Sequence, residues 1–176
     1  MLARIGVVPD AVDPADSDET PQKAELPLTY ARRMAAEKAA IVALRHSGCV
    51  ILAADTVVAV GRRILSKAET EAQARSCLTL ISGRRHRVHS AVSVIDATGA
   101  VRHRVSTSIL TFKRLSEADI VAYLASGEWQ GKAGGYAIQG MAEAYVKQLA
   151  GSHSGVMGLP LFETRALLIT AGIALG

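Results

Sequence analysis

The sequence predicts an α/β domain in which helices flank a central mixed β-sheet. Two observations support this class: segments with helical spacing of apolar residues alternate with β-branched segments of strand length, and some of the strands are joined as hairpins. The chain has 176 residues, of which 49% are hydrophobic. This length supports one substantial core and is short for two ordinary domains, so we expect a single domain over residues 1–176.

The first half of the chain predicts a loop, a helix and two strands. Residues 9–27 hold four of the five prolines and many acidic groups, a composition that favours irregular backbone. Apolar residues recur at helical spacing from Thr29 to Arg45, and Gly48 then ends the helix. The β-branched run from Val50 to Val60 has strand length, and a glycine turn leads from it into a short second strand, Ile64–Leu65.

The next elements are a helix, a hairpin and a capped helix. Helical periodicity runs from about Thr70 to Ser82. The strands His86–Asp96 and Val101–Phe112 flank an Asp-Ala-Thr-Gly turn, which predicts a hairpin. Ser116 and Asp119 have the spacing of a capping box, so a third helix should begin there.

The last quarter of the chain is less regular. Residues 128–142 are rich in glycine, and the run from Ala144 to Leu149 is a candidate strand. Pro160 is a favourable first residue for the last helix. We therefore expect the glycine-rich segment to connect the third helix to the end of the sheet.

The charge of the chain indicates an anionic ligand. Its formal net charge is +4, and the positive charge is concentrated in arginine-rich patches. The patches are Arg62-Arg63, Arg84-Arg85-His86-Arg87 and Arg102-His103-Arg104. Aromatic residues make up only 4% of the chain, which leaves few stacking surfaces for single-stranded nucleic acid, so a small polyanion fits at least as well. Solvated edge strands are the ordinary explanation for any one patch.

Several classes of protein are disfavoured. No apolar run is long enough to span a membrane, and the amino end lacks the pattern of a signal peptide, so we expect a cytoplasmic protein without a membrane partner. The two cysteines lack Cys-x-x-Cys spacing, and the histidines have no ligand spacing with them. Neither a disulfide framework nor a zinc site is therefore indicated.

Asp55 is the most informative single position. It is a lone carboxylate within the apolar run from Val50 to Val60, and burying it without a partner would be costly. One explanation is structural, with Asp55 capping a turn. The functional explanation is a general base or a carboxylate close to a metal, at the lip of a cleft.

Three lysines and one glutamine could serve the same cleft. Lys38 follows Met34 by four residues, so it lies on the apolar face of the predicted helix and either points at a pocket or covers apolar surface. Lys67 and Lys132 lie in predicted loops, where they could reach phosphate oxygens or be ordinary surface charges. Gln139 has a donor and an acceptor suited to the edge of a base.

The glycine-rich segment Gly131–Gly140 combines close backbone approach with a cation, an aromatic residue and an amide. It lacks the Gly-Lys-Ser/Thr ending of a Walker A loop, and it is not a Gly-x-Gly-x-x-Gly loop after a strand. A ligand-binding loop and a merely flexible connection are both consistent with this composition.

Taken together, short motifs along nearly the whole chain resemble the Maf family. They are Asp18-Glu19-Thr20, Glu37-Lys38-Ala39, Ala54-Asp55-Thr56, Ser66-Lys67, Ser82-Gly83-Arg84 with His86, Lys132-Ala133-Gly134-Gly135-Tyr136, Ile138-Gln139-Gly140 and Gly158-Leu159-Pro160. Each motif is weak evidence alone, whereas their joint order and spacing are specific. The resemblance implies a Maf/ITPase-like fold with a deep nucleotide cleft, and hydrolysis of a nucleoside triphosphate to its monophosphate and pyrophosphate.

The resemblance also assigns roles to the catalytic residues. It implies that Asp55 accepts a proton from the attacking water, and that Glu19 and Asp55 hold a divalent cation, Mg²⁺ or Mn²⁺. Lys38 and Lys67 would bind the triphosphate. A divalent cation and two lysines would neutralise the charge that develops on the leaving pyrophosphate.

Substrate choice is associated in this family with the positions of Thr56 and Gln139. The Ile-Gln-Gly form around Gln139 is similar to the branch of the family that acts on dTTP and UTP, so the resemblance implies a pyrimidine nucleotide. It also implies that Lys132 and Arg84 contribute to substrate binding. A homodimer is a further expectation from the resemblance, and nucleic acid is not an expected partner.

The resemblance begins after the strand and the Ser-Pro-Arg-Arg loop with which the family domain usually opens. We expect that the natural start lies further upstream, and the alternative is an impaired chain. Two other functions stay open at this point. One is a Maf-like protein that binds nucleotide without turnover, and the other is a basic nucleic-acid-binding module.

Overall fold

Seven β-strands and five α-helices make up the fold of residues 1–175, which the computed structural model describes. The strands are β1 (Ile51–Val60), β2 (Arg63–Leu65), β3 (Lys67–Ala68), β4 (Arg85–Ile95), β5 (Val101–Phe112), β6 (Lys132–Ala133) and β7 (Val146–Ala150). The helices are α1 (Pro27–Ala43), α2 (Glu71–Ile81), α3 (Glu117–Ala125), α4 (His153–Val156) and α5 (Leu161–Thr170). Two short 3₁₀ helices span Leu2–Ile5 and Met141–Tyr145.

The main sheet has five strands in the order β2-β1-β4-β5-β7, and α-helices flank it, as predicted for an α/β domain. The prediction of a mixed sheet is wrong for residues 1–175, because every strand pair described there is antiparallel. Tight turns join β1 to β2 and β4 to β5, and strands joined by such turns must run in opposite directions. A separate two-stranded ladder pairs β3 with β6.

Side chains that alternate along β1 and β4 divide the core between the two faces of the sheet. On one face, Tyr30 and Met34 of α1 pack against Val57 and Ala91. On the other face, α5 covers one end of the strands, and α2 and α3 cover a larger cluster around Phe112. None of the helices within residues 1–175 combines the length and the apolar character that crossing a membrane requires.

The acidic loop before α1 is irregular, as predicted, and it is tied to the helix. The Tyr30 hydroxyl donates a hydrogen bond of 2.6 Å to the carbonyl oxygen of Glu19. Arg33 pairs with Glu25 at 2.8 Å. The helix begins at Pro27 and not at Thr29, because proline is compatible with the first turn of a helix. These contacts place the Glu19 side chain beside the middle of α1.

Two local predictions need correction. The strand expected over Ala144–Leu149 begins at Val146, because the preceding residues form a 3₁₀ helix in which Glu143 N–H bonds to Gly140 O. Lys67 and Lys132 do not lie in loops but on the β3–β6 ladder, where Ala68 is the register partner of Lys132. Two-residue strands are too short to leave a periodic signal in the sequence.

Candidate active site

A cleft of ≈ 300 Å³ opens beside the first half of β1. The short strand β2 pairs only with Val58–Val60, so the preceding part of β1 borders the cleft. Six of the side chains singled out in the sequence line it: Lys38, Asp55, Thr56, Lys67, Lys132 and Gln139. The structure therefore brings together residues from α1, β1, β3, β6 and the glycine-rich segment.

One wall of the cleft carries alternating charges. Lys38 Nζ lies 2.7 Å from Asp55 Oδ1 and 2.6 Å from Glu19 Oε1. Lys67 Nζ lies 2.7 Å from Glu19 Oε2. Glu19, which sequence reasoning placed in the site only by resemblance, thus bridges the two lysines. In this charged wall (Glu19, Lys38, Asp55 and Lys67), the two lysines and Asp55 line the cleft, and Glu19 joins them through its ion pairs.

Asp55 reaches this wall because of its position within β1. It lies in the middle of the strand, so the alternative in which it caps a turn is wrong. Its neighbour on the same face, Val57, packs under α1, and Lys38 on that helix extends to the carboxylate. Strand alternation therefore directs Asp55 towards α1, and the spacing of apolar residues on α1 directs Lys38 towards Asp55.

Burial and ion pairing act in opposite directions on these groups. Burial raises the pKa of Asp55 above its ordinary value, and the hydrogen bond from Lys38 offsets this only in part. Burial also acts on Glu19, but hydrogen bonds from Lys38 and Lys67 outweigh it, so the pKa of Glu19 is lowered. The pKa of Lys38 is raised, because its two carboxylate partners outweigh its burial. Asp55 is therefore a stronger base than an ordinary aspartate, and Glu19 is a weaker base than an ordinary glutamate.

Part of the cleft lining is uncharged. Thr56 follows Asp55 on β1 and so points to the other face of the sheet, where it meets its register partner Ser90. The Thr56 and Ser90 hydroxyl oxygens are 2.8 Å apart, and Ser90 donates a hydrogen bond of 2.6 Å to Gly155 O. Gln139 and Gly158 also border the cleft. We call the uncharged hydrogen-bonding members of the lining, Thr56, Gln139 and Gly158, the neutral wall.

The glycine-rich segment is packed in place, so the alternative of a merely flexible connection is wrong. Gly134 has φ +70°, and a Cβ there would lie 2.8 Å from Val58 Cγ1. Tyr136 is buried, and its hydroxyl oxygen lies 2.8 Å from His86 Nε2. The absence of a side chain at Gly134 therefore allows this segment to lie directly against β1 at the cleft.

Arg84 does not line the cleft. It is exposed at the turn between α2 and β4, whereas the residue of β4 that pairs with Asp55 is Ala91. Seven residues separate positions 84 and 91, which corresponds to about 23 Å along a strand. Arg84 is not among the residues that line the cleft, and its role in substrate binding stays a prediction. The sequence motif could not show this distance, because the register of β4 against β1 is a long-range property.

Ser90 is a residue of the site that the sequence analysis did not single out. A small polar residue at a core-facing position of β4 is the only signal that the sequence offers. The side chain is almost fully buried, at 1% exposure, and its role becomes apparent only from its contacts with Thr56 and Gly155.

The carboxylates of the charged wall fit a hard divalent cation. Glu19 and Asp55 supply oxygen donors, and Mg²⁺ is usually held by one or two carboxylates together with substrate phosphates. Residues 1–175 contain no cluster of three or more His, Cys, Asp or Glu side chains suited to hold a metal. Two carboxylate donors suit a cation whose other ligands are oxygens of a polyphosphate.

Comparison with known proteins agrees with this architecture. The family described as Maf-like protein matches residues 1–171. The dTTP/UTP pyrophosphatase of Zymomonas mobilis subsp. mobilis is 64% identical over 172 residues, which cover 98% of this chain and 85% of the relative. The protein of the same name from Novosphingobium aromaticivorans is 59% identical over 173 residues, covering 98% and 86% respectively. A match of this extent to the family and to such relatives shows that the chain belongs to the Maf family.

Proposed function

We propose that this protein is a nucleoside triphosphate pyrophosphatase that hydrolyses dTTP and UTP to the monophosphate and pyrophosphate. The observation that carries the proposal is the charged wall, in which two lysines and Asp55 line one cleft and Glu19 is paired with both lysines. The names of the relatives, dTTP/UTP pyrophosphatases, support the same reaction and substrates.

The lysines would bind the triphosphate. Lys67 and Lys132 are exposed on the paired strands β3 and β6 and line the cleft, so the Lys132 ammonium group, and that of Lys67 beside its partner Glu19, can approach phosphate oxygens. Lys38 lies deeper, between Glu19 and Asp55. Positive charge fixed in this arrangement would stabilise the pyrophosphate as the bond between the α and β phosphates breaks.

Asp55 would accept the proton of the attacking water. Its carboxylate faces the cleft, and burial raises its pKa, which makes it a better proton acceptor than an ordinary aspartate. Lys38 donates a hydrogen bond to Asp55 Oδ1 at 2.7 Å, so one oxygen is held by the lysine. The other oxygen is then the one available to water.

Glu19 and Asp55 would hold Mg²⁺ or Mn²⁺ together with oxygens of the triphosphate. When bound, the cation would neutralise phosphate charge and polarise the phosphoryl group. Glu19 suits this role because hydrogen bonds from Lys38 and Lys67 lower its pKa and keep it ionised. The exposure of its side chain, 36%, leaves it accessible from the cleft.

The neutral wall would receive the pyrimidine base. Gln139 carries both donor and acceptor groups, and Thr56 adds a hydroxyl at the same wall. This separation places charged groups towards the phosphates and neutral groups towards the base. It supports a nucleotide as the ligand over a simple inorganic polyphosphate.

Pyrophosphate release from dTTP, UTP, CTP and GTP, each with Mg²⁺ or Mn²⁺, tests the proposal. We expect release from dTTP and UTP that stops when the metal is chelated. Nucleotide binding without release would instead support the binding protein that lacks turnover. Affinity for nucleic acid that persists without metal and falls steeply with salt would support the nucleic-acid module.

A further inference from the structure

The hydroxyl groups of Thr56 and Ser90 belong to a chain of hydrogen bonds in which the direction of donation is determined. Each hydroxyl has a single hydrogen to donate. Ser90 Oγ lies 2.6 Å from Gly155 O, and because a carbonyl oxygen can only accept, the serine hydrogen is committed to that bond. Thr56 must therefore donate its own hydrogen, either to Ser90 Oγ at 2.8 Å or to Gly158 O at 3.3 Å. Both acceptors are protein atoms.

The consequence is that Thr56 can offer only lone pairs to a ligand. Its oxygen lines the cleft, whereas its hydrogen is used inside the protein. The alternative arrangement, with Ser90 donating to Thr56, would leave two oxygen atoms 2.6 Å apart with no hydrogen between them.

We propose that Ser90 is a positioning residue that makes Thr56 an acceptor, so that the cleft selects uracil and thymine over cytosine. This inference rests on the proposed function and deepens it. The only ring N–H of uracil or thymine in a nucleotide is at N3, so an accepting oxygen that faces the base pairs with that group. Cytosine has a lone pair at N3, which an accepting oxygen at that position repels, and cytosine can donate only from its 4-amino group.

Ser108 provides a matched control. Like Ser90 it is 1% exposed, and it connects the sheet to the same segment, donating to Ser152 O at 3.1 Å. Its register partner is Val88, and its hydrogen bonds go to Ser152 and not to Thr56. Ser108→Ala therefore loosens the segment of residues 152–158 without releasing the Thr56 hydroxyl.

The test is the ratio of kcat/KM for UTP to kcat/KM for CTP in five proteins. These are the unmodified protein, Ser90→Ala, Ser108→Ala, Thr56→Val, and Ser90→Ala combined with Thr56→Val. In Ser90→Ala the threonine keeps only its longer contact with Gly158 O, at 3.3 Å, so its hydrogen can also turn towards the ligand. We therefore expect the ratio to fall about tenfold. We expect Ser108→Ala to keep the ratio even if its melting temperature falls. In a Thr56→Val background, adding Ser90→Ala should leave the ratio unchanged, because no hydroxyl remains to be oriented.

The outcomes separate this inference from the proposed function. If the unmodified protein releases pyrophosphate from neither nucleotide, the proposed function fails. If it hydrolyses UTP and CTP equally, or if Ser90→Ala and Ser108→Ala change the ratio alike, the function stands and the role of Ser90 is overturned. If Ser90→Ala does not fold, Ser90→Cys takes its place, because a thiol is a weak partner at this position and should also lower the ratio.

Discussion

The Lys38 ammonium group donates a hydrogen bond of 2.7 Å to Asp55 Oδ1, from the middle of a helix to the middle of a strand. The pair is mostly buried, with 18% and 10% of the two side chains exposed. The lysine also contacts Glu19, so one cation organises both carboxylates. This arrangement leads to the first two predictions.

Asp55→Asn should abolish turnover while nucleotide binding remains. The amide has nearly the same shape but cannot accept the proton of water, and loss of a general base lowers rates by roughly 10²–10⁴-fold. Pyrophosphate release and calorimetric titration with UTP measure the two properties. Asp10→Asn, at an exposed aspartate, is the control and should keep full activity. Turnover in Asp55→Asn close to that of the control would remove Asp55 from its proposed role.

Lys38→Met should lower the free energy of unfolding as well as the rate of turnover. The change removes the hydrogen bonds to Asp55 and Glu19 and leaves Asp55 partly buried without its cation, at a cost of about 1–3 kcal/mol. Urea unfolding measures the free energy. Lys113→Met breaks the more exposed pair with Asp119, and it should cost less than about 1 kcal/mol. Equal losses in the two variants would contradict the structural importance of the Lys38 pair.

Stability should fall on acidification partly because of His86. Burial lowers the pKa of His86 to about 4 from an ordinary value of 6.5. Between these values the unfolded chain binds the proton more readily than the folded protein. Neutral His86 therefore makes its full contribution to the free energy of unfolding above pH 6.5. About 3 kcal/mol of that free energy is lost as the pH falls to 4.

Urea unfolding of the unmodified protein and of His86→Gln at pH values from 7 to 4 measures this contribution. Glutamine can still bond to the Tyr136 hydroxyl but does not titrate. Carboxylates titrate in both proteins, so the difference between the two stability curves isolates the histidine. We expect that difference to change with pH between 6.5 and 4, and a constant difference would show that His86 does not contribute.

Gly134→Ala should damage the cleft more than substitution of another glycine with the same backbone conformation. Gly134 and Gly99 both have positive φ, at 70° and 86°. A Cβ at Gly99 meets no atom within 4 Å, whereas one at Gly134 lies 2.8 Å from Val58 Cγ1. We expect Gly99→Ala to cost about 1 kcal/mol. Gly134→Ala should cost more and also raise KM for UTP, because the segment that carries Lys132 and Gln139 must move away from β1. Equal effects in unfolding and KM would contradict this packing.

The sequence predicted the elements whose signals are local. Strand alternation in β4 and β5 and the turn between them predicted the hairpin, and the structure places those strands at Arg85–Ile95 and Val101–Phe112. The capping box of Ser116 and Asp119 forms as predicted. Asp55 was singled out because a charge within an apolar strand needs a partner. Each of these signals depends on residues a few positions apart.

The partners within the site were decided by tertiary structure. Lys38 meets Asp55 because α1 packs across β1, and Glu19 reaches both lysines because Tyr30 holds the acidic loop. The motif containing Arg84 suggested a place in the cleft, but the pairing of Asp55 with Ala91 carries Arg84 to a distant end of the sheet.

The sequence alone thus determined the α/β class, most of the elements and the candidate carboxylate, whereas the fold decided which charges meet and which hydroxyl accepts. The physical reason is one of range. The helical period of 3.6 residues and the strand period of 2 residues can be recognised from side chains that are close together in the sequence. Strand register, the path of a loop and the direction of the Thr56–Ser90 hydrogen bonds depend on packing between segments that are far apart in the chain.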